Sequence, residues 1–94
     1  MPVAKHWTLD IYLSEEIGEG TAVTHAEARL RTQDATDLRG HGDAHRHPDD
    51  ADVPEIGDEL ATARALSDLA QQLLRAAAQN VEAVTRQPVV RLTG

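Results

Sequence analysis

The sequence predicts an α+β fold: a three-stranded antiparallel sheet, a long helix packed on one of its faces, and a short C-terminal helix. Three observations carry this expectation. Apolar and polar residues alternate strictly in three stretches of the first half, the period-2 signature of a half-buried strand. Short runs rich in Gly, Asp and Thr separate those stretches, and consecutive strands joined by tight turns pair antiparallel. From residue 53 onward the period lengthens to that of a helix. With 94 residues the chain makes a single domain, 1–94, with room for a modest core but not for an enclosed catalytic cleft.

The first strand is His6–Ser14, HWTLDIYLS, with Trp7, Leu9, Ile11 and Leu13 on one face and His6, Thr8, Asp10 and Tyr12 on the other. Glu15–Gly20, EEIGEG, is a charged turn with two glycines, suited to a hairpin loop. The second strand, Thr21–Thr32, sets Ala22, Thr24, Ala26, Ala28 and Leu30 against Val23, His25, Glu27, Arg29 and Arg31. Its alanine face is small, which suits a helix packing closely across it. Gln33–Asp37, QDATD, turns the chain again. In the third strand, Leu38–His47, Leu38, Gly40, Gly42 and Ala44 face inward. Arg39, His41, Asp43, His45 and His47 face outward. Two glycines inside a strand weaken it unless another backbone approaches closely, and the helix is the candidate for that approach.

His47–Asp52, HPDDAD, leads into the helix, whose start reads from Asp52-Val-Pro-Glu55: an Asx cap, Pro in the first turn and Glu at N3. Gly57 loosens the first turn, so the regular helix is expected from nearer Asp58, running to about Gln79. Asn80 then caps a short second helix, Val81–Arg86, which Pro88 ends. The β-prone tail Val89–Leu92 could pair with a free sheet edge. On a helical wheel Ile56, Leu60, Ala63, Ala70, Leu74 and Val81 form one stripe, assigned to the sheet. Leu66, Leu69, Leu73 and Ala76 form a second, left over for a homodimer interface, unless the terminal helix or the tail folds over it. The core is accordingly expected to bury Trp7, Leu9, Ile11, Leu30, Leu38, Ile56, Leu60 and Leu74.

The run VPEIGDELA from Val53, ARALSDLA to Ala70, the pair Leu73-Leu74, and VEAVT followed by Gln87-Pro88 resemble a small bacterial family of unknown function. Its members are called double-stranded-RNA-binding-domain-like (dsRBD-like). Some are associated with hypoxic dormancy and compared in shape with ribosome hibernation-promoting factors. The resemblance covers nearly the whole chain, though its motif is structural. It implies a dsRBD-like domain and a dimeric, stress- or dormancy-associated protein acting on the ribosome or structured RNA.

The residues alone point less far. Formal net charge is −7, which argues against non-specific adhesion to nucleic acid without excluding one basic face. Residues 48–59 hold six acids and no base, near the positive end of the helix dipole. Arg29, Arg31 and Arg39, with His25, His41 and His45, make the outer sheet face the most basic surface available. Arginine forks onto phosphate oxygens, so this face is a candidate RNA-binding surface, or else an ordinary solvated face pairing with Glu27 and Asp43. Trp7 and Tyr12 are the sole aromatics, so base stacking is not expected.

Imidazoles on one strand face could attract Zn²⁺, Ni²⁺ or Cu²⁺, yet His41, His45 and His47, with His25 alongside, match no strong ligand spacing, and no metal or cofactor is expected. There are no cysteines, hence no disulfide or thiolate site. Met1–Lys5 lacks a signal-peptide core and no stretch is apolar enough for a membrane span, so a cytoplasmic protein is expected. No nucleophile elbow or triad context appears either, and the chain is not expected to be an enzyme. The alternative to the RNA reading is a homodimeric protein–protein interaction module with no nucleic-acid contact.

Overall fold

The structure, a computed structural model, describes residues 2–33, 37–46 and 54–85. Three strands precede one helix: β1 (Thr8–Gly18), β2 (Thr21–Arg31), β3 (Asp37–Arg46) and α1 (Pro54–Thr85). The strands form one antiparallel sheet in the order β1-β2-β3. Leu9 lies opposite Leu30, Ile11 opposite Ala28 and Leu13 opposite Ala26. On the other side of β2, Ala26 pairs with Gly42, Ala28 with Gly40 and Leu30 with Leu38. The first hairpin is tighter than expected. β1 runs on to Gly18, and the turn closes through Gly20 at φ 69, a left-handed conformation that glycine adopts without steric cost.

The two strand glycines set the helix depth. A Cβ on Gly40 would collide with the Ala65 carbonyl oxygen and lie 2.6 Å from Leu69 N. One on Gly42 would strike the Ala61 carbonyl and Ala65 amide and lie 2.7 Å from Arg64 Cβ. Helix backbone therefore rests almost directly on strand backbone. The alanines of the facing surfaces permit it: Ala26, Ala28, Ala44, Ala61 and Ala65 are buried together with Leu30 and Leu69, with Leu38 and Leu73 packed at the edge. Gly57 plays the same part at the helix start, where a Cβ would meet Thr24 Oγ1 at 2.9 Å. It does not delay the helix, which begins at Pro54.

Three expectations are corrected. The helix is continuous through Asn80 to Thr85, and no second helix is seen among the described residues. Asn80 is a weak helix former and not a stop, and the first residue that must end a helix is Pro88. The contact stripe is also not the assigned one. Ala61, Ala65 and Leu69, spaced by four, face the sheet, while Ile56, Leu60 and Leu74 are exposed, as are Ala63, Ala70 and Val81. A hydrophobic wheel favours bulky residues for the contact, but a seat on glycine demands the smallest residues the helix has. Finally, β1 is not covered. The helix lies over β2 and β3, and Trp7, Leu9, Ile11, Leu13 and Ile17 remain solvent-exposed, Trp7 at 52%. The His47–Asp52 linker, Arg86 and the Val89–Leu92 tail lie outside the described residues.

Candidate interaction surfaces

The outer face of the sheet does assemble the predicted polar residues. Arg29 stands opposite Arg39, His25 opposite Asp43, Glu27 opposite His41 and Arg31 opposite Asp37. The three arginines thus share one solvent face with His25, His41 and His45, while His47 lies outside the described residues. Each arginine is also matched by a carboxylate. Arg29 donates from Nε to Asp37 Oδ1 at 3.0 Å and from Nη2 to Oδ2 at 3.1 Å. Arg31 bonds Asp10 across β1, and Arg39 lies 3.8 Å from Glu27. The Arg29 fork holds the Asp37 carboxyl below its usual range, and Asp37 in turn raises Arg29. Diagonal neighbours on adjacent strands lie within reach of long side chains, and that is how Asp10 and Asp37 find their arginines.

By register this face carries Asp10, Glu16, Glu27, Asp37 and Asp43 against Arg29, Arg31 and Arg39. Five carboxylates against three guanidiniums make −2 with the three histidines neutral, and +1 with all three charged. At neutral pH the face is mixed, not basic. His25 sits between two acids, with Nδ1 2.6 Å from Asp43 Oδ1 and Nε2 3.3 Å from Glu16 Oε1, the latter without hydrogen-bond alignment. Its bond to Asp43 raises its pKa above the usual value of 6.5. A raised folded-state pKa adds stability that is complete below the unfolded value and fades as pH climbs through the folded one. His25→Gln is therefore expected to lower the melting temperature more at pH 6 than at pH 8, measured by thermal unfolding. An equal loss at both pH values would discount the ion pair.

The inner face offers a second surface, one that alternation alone could not reveal. Leu9, Ile11 and Leu13 share a side of the sheet with Leu30, Ala28 and Ala26, but no helix lies over them. Of the expected dimer stripe, Leu69 is buried beneath the helix, Leu73 and Ala76 are half-buried, and Leu66 retains 37% exposure. The opposite flank of α1 grips β3: Arg64 Nη1 donates to the Asp43 carbonyl at 2.6 Å, Gln72 Nε2 to the Arg39 carbonyl at 2.6 Å, and the His41 amide donates to Asp68 Oδ2 at 2.8 Å. That amide pulls the Asp68 carboxyl below its ordinary pKa. Asp68 and Arg64 hold one flank of α1 to β3, and Leu66 and Leu73 lie on its other flank.

Among the described residues no group of three or more His, Asp or Glu side chains is placed to hold a metal ion. No helix there is long and apolar enough to cross a membrane.

A β-β-β-α domain with its helix seated on strand glycines defines a small α+β class, and comparison identifies it more closely. The chain belongs to the Rv2632c-like family, whose model matches residues 5–90. It is 49% identical over 86 residues to the uncharacterized protein MT1780 of Mycobacterium tuberculosis strain CDC 1551, covering 92% of this chain and 86% of that one. It is 42% identical over 90 residues to the uncharacterized protein Rv2632c of strain H37Rv, covering 96% and 91%. The crystal structure of Rv2632c superposes with a TM-score of 0.74 at 41% identity, over 93% of this chain and 98% of that one.

Proposed function

We propose that this protein is a cytoplasmic binding module and not an enzyme, and that it works as a homodimer joined through β1. The uncovered apolar row Leu9, Ile11 and Leu13 carries this reading. A contiguous apolar surface in a small domain marks an interaction site more often than an accident of folding. Sedimentation equilibrium from low to high micromolar concentration tests it, with a monomer–dimer equilibrium expected. A monomer throughout that range removes the proposal.

A second reading, a ribosome- or structured-RNA-binding factor of dormant or stressed cells, is favoured by one observation. Arg29, Arg31 and Arg39 share a face with three histidines, and the helix motif resembles proteins compared with hibernation-promoting factors. With no aromatic platform, such binding rests on phosphate contacts and shape, so it weakens steeply with salt. It also strengthens from pH 7.5 to 6, as His25, whose pKa its bond to Asp43 raises, gains positive charge on that face. Ribosome co-sedimentation at two salt concentrations and both pH values decides. A triple Arg29/Arg31/Arg39→Glu variant that sediments as well as wild type excludes the outer face.

A further inference from the structure

The two edges of the sheet are treated differently. At β3 the backbone groups of Arg39, His41 and Asp43 that point away from β2 are taken by α1 side chains. In an antiparallel ladder successive residues point their backbone groups alternately to one neighbour and to the other. With 39, 41 and 43 turned outward, 38, 40 and 42 bond β2. Residues 25, 27 and 29 of β2 then bond Ser14, Tyr12 and Asp10 of β1. Leu9, Ile11, Leu13 and Glu15 are left with amides and carbonyls on an edge that no described element covers. Natural edges are blunted by lysine, proline, a bulge or a covering element. β1 has no lysine and no proline, and its pairing with β2 runs one-to-one from Thr8 to Gly18.

The side chains along this edge divide it in two. Leu9, Ile11 and Leu13 make one half apolar; Glu15 and Glu16 make the other acidic, and Glu19 follows in the turn. β1 holds no Lys, Arg or His to balance them. Asp10 is taken by Arg31 of β2, but the Glu16 side chain is 78% exposed with only the unaligned His25 ring beside it, and Glu15 is exposed. We propose that this edge takes a basic, extended segment of another protein, added as an antiparallel fourth strand. Lys or Arg stands opposite Glu16 and Glu15, and β-branched residues stand opposite Leu13, Ile11 and Leu9. Charge complementarity selects this occupant, because opposite charges directly across a ladder stabilise it and like charges do the reverse. The antiparallel sense continues the pattern of the sheet and places the basic pair at the N-terminal end of the segment. Main-chain bonds to the edge supply affinity, and the alternate side chains supply specificity. Residues directly opposite one another point to the same side, so the added β-branched row widens the apolar floor beside α1. The inference goes beyond the homodimer reading, since it uses the backbone edge of β1 and not its apolar face.

The probe is the octapeptide Arg-Lys-Thr-Val-Thr-Ile-Thr-Val, whose residues fall in order opposite Glu16 through Leu9. Fluorescence anisotropy of the labelled peptide measures affinity, and hydrogen exchange on the protein locates the contact. Saturable binding is expected, with the Leu9, Ile11 and Leu13 amides gaining protection. Replacing the Arg-Lys pair by Glu-Glu turns two attractive pairs into repulsive ones and should weaken binding at least about tenfold. N-methylation of the peptide residues opposite Leu13 and Ile11 should abolish binding, because those amides face the edge. N-methylation of the threonine opposite Tyr12, whose amide faces solvent, should leave it intact. The Glu15→Lys/Glu16→Lys double variant, with both changes at exposed positions, should fold and prefer the Glu-Glu peptide. The proposal is overturned if the wild type binds neither peptide at high micromolar concentration, or binds both alike. It is equally overturned if the peptide methylated opposite Leu13 and Ile11 binds as well as the parent.

Discussion

Gly42→Ala is expected to cost most of the domain's stability, and Gly42→Val to leave no cooperative unfolding transition. Strand propensity alone predicts the reverse, because valine is favoured over glycine in strands on a scale of about 1 kcal/mol. Space decides against it. The new Cβ would overlap the Ala61 carbonyl and the Ala65 amide, and these are helix backbone atoms that no side-chain rotation can move aside. Accommodating it means lifting α1 off the sheet and opening the contact among Ala26, Ala28, Ala44, Ala61, Ala65 and Leu69. Overpacking a core costs about 1–3 kcal/mol where side chains can adjust, and more where they cannot. A small domain holds only about 5–15 kcal/mol in reserve. Gly40→Ala should behave alike, because its Cβ meets the Ala65 carbonyl and Leu69 Cβ. Gly18→Ala is the control, since its Cβ has only Thr21 Oγ1 nearby, at 3.1 Å. Thermal unfolding followed by circular dichroism compares the three, and a Gly42→Ala melting temperature at or above that of wild type would contradict the close-seated helix.

Those glycines also mark what the sequence could disclose. Alternation revealed three strands, and Gly40 and Gly42 opposite an alanine-faced β2 pointed to a helix lying close on the sheet. The helix face is hidden in the sequence for a physical reason. A wheel weighted by hydrophobicity favours Ile56, Leu60 and Leu74, whereas contact this close selects Ala61 and Ala65, whose small size carries no strong signal. The same substitution of size for contact hid the second surface. Trp7, Leu9 and Ile11 alternate as a buried face would, and nothing local says that the helix stops short of β1. Arg29, Arg31 and Arg39 were placed on one face by parity alone. Their neutralisation by Asp10 and Asp37 depends on diagonal pairing, which only the register supplies.

Replacing Leu9 and Leu13 together with aspartate should yield a folded, soluble monomer, whereas Leu69→Asp should unfold the chain. Both changes put carboxylates at leucines, and they differ in what lies over the site. Leu69 is 4% exposed between sheet and helix, so an aspartate there would have to be desolvated without a partner or force the helix away. Leu9 and Leu13 are nearly half exposed within the protomer, and a carboxylate at either can reach water. Their cost appears on association. Completing the burial of one half-exposed aliphatic side chain is worth about 1 kcal/mol, and Leu9, Ile11 and Leu13 contribute from both protomers, roughly 6 kcal/mol in all. The double variant removes two-thirds of that and places four carboxylates along the contact. A hundredfold or greater weakening of dimerisation is the minimum expected, since each 1.4 kcal/mol is a factor of ten. Sedimentation equilibrium measures the association and circular dichroism the fold. Leu74→Asp, on the exposed back of α1, should change neither. A double variant that folds and still dimerises with the wild-type constant would move the interface away from β1 altogether.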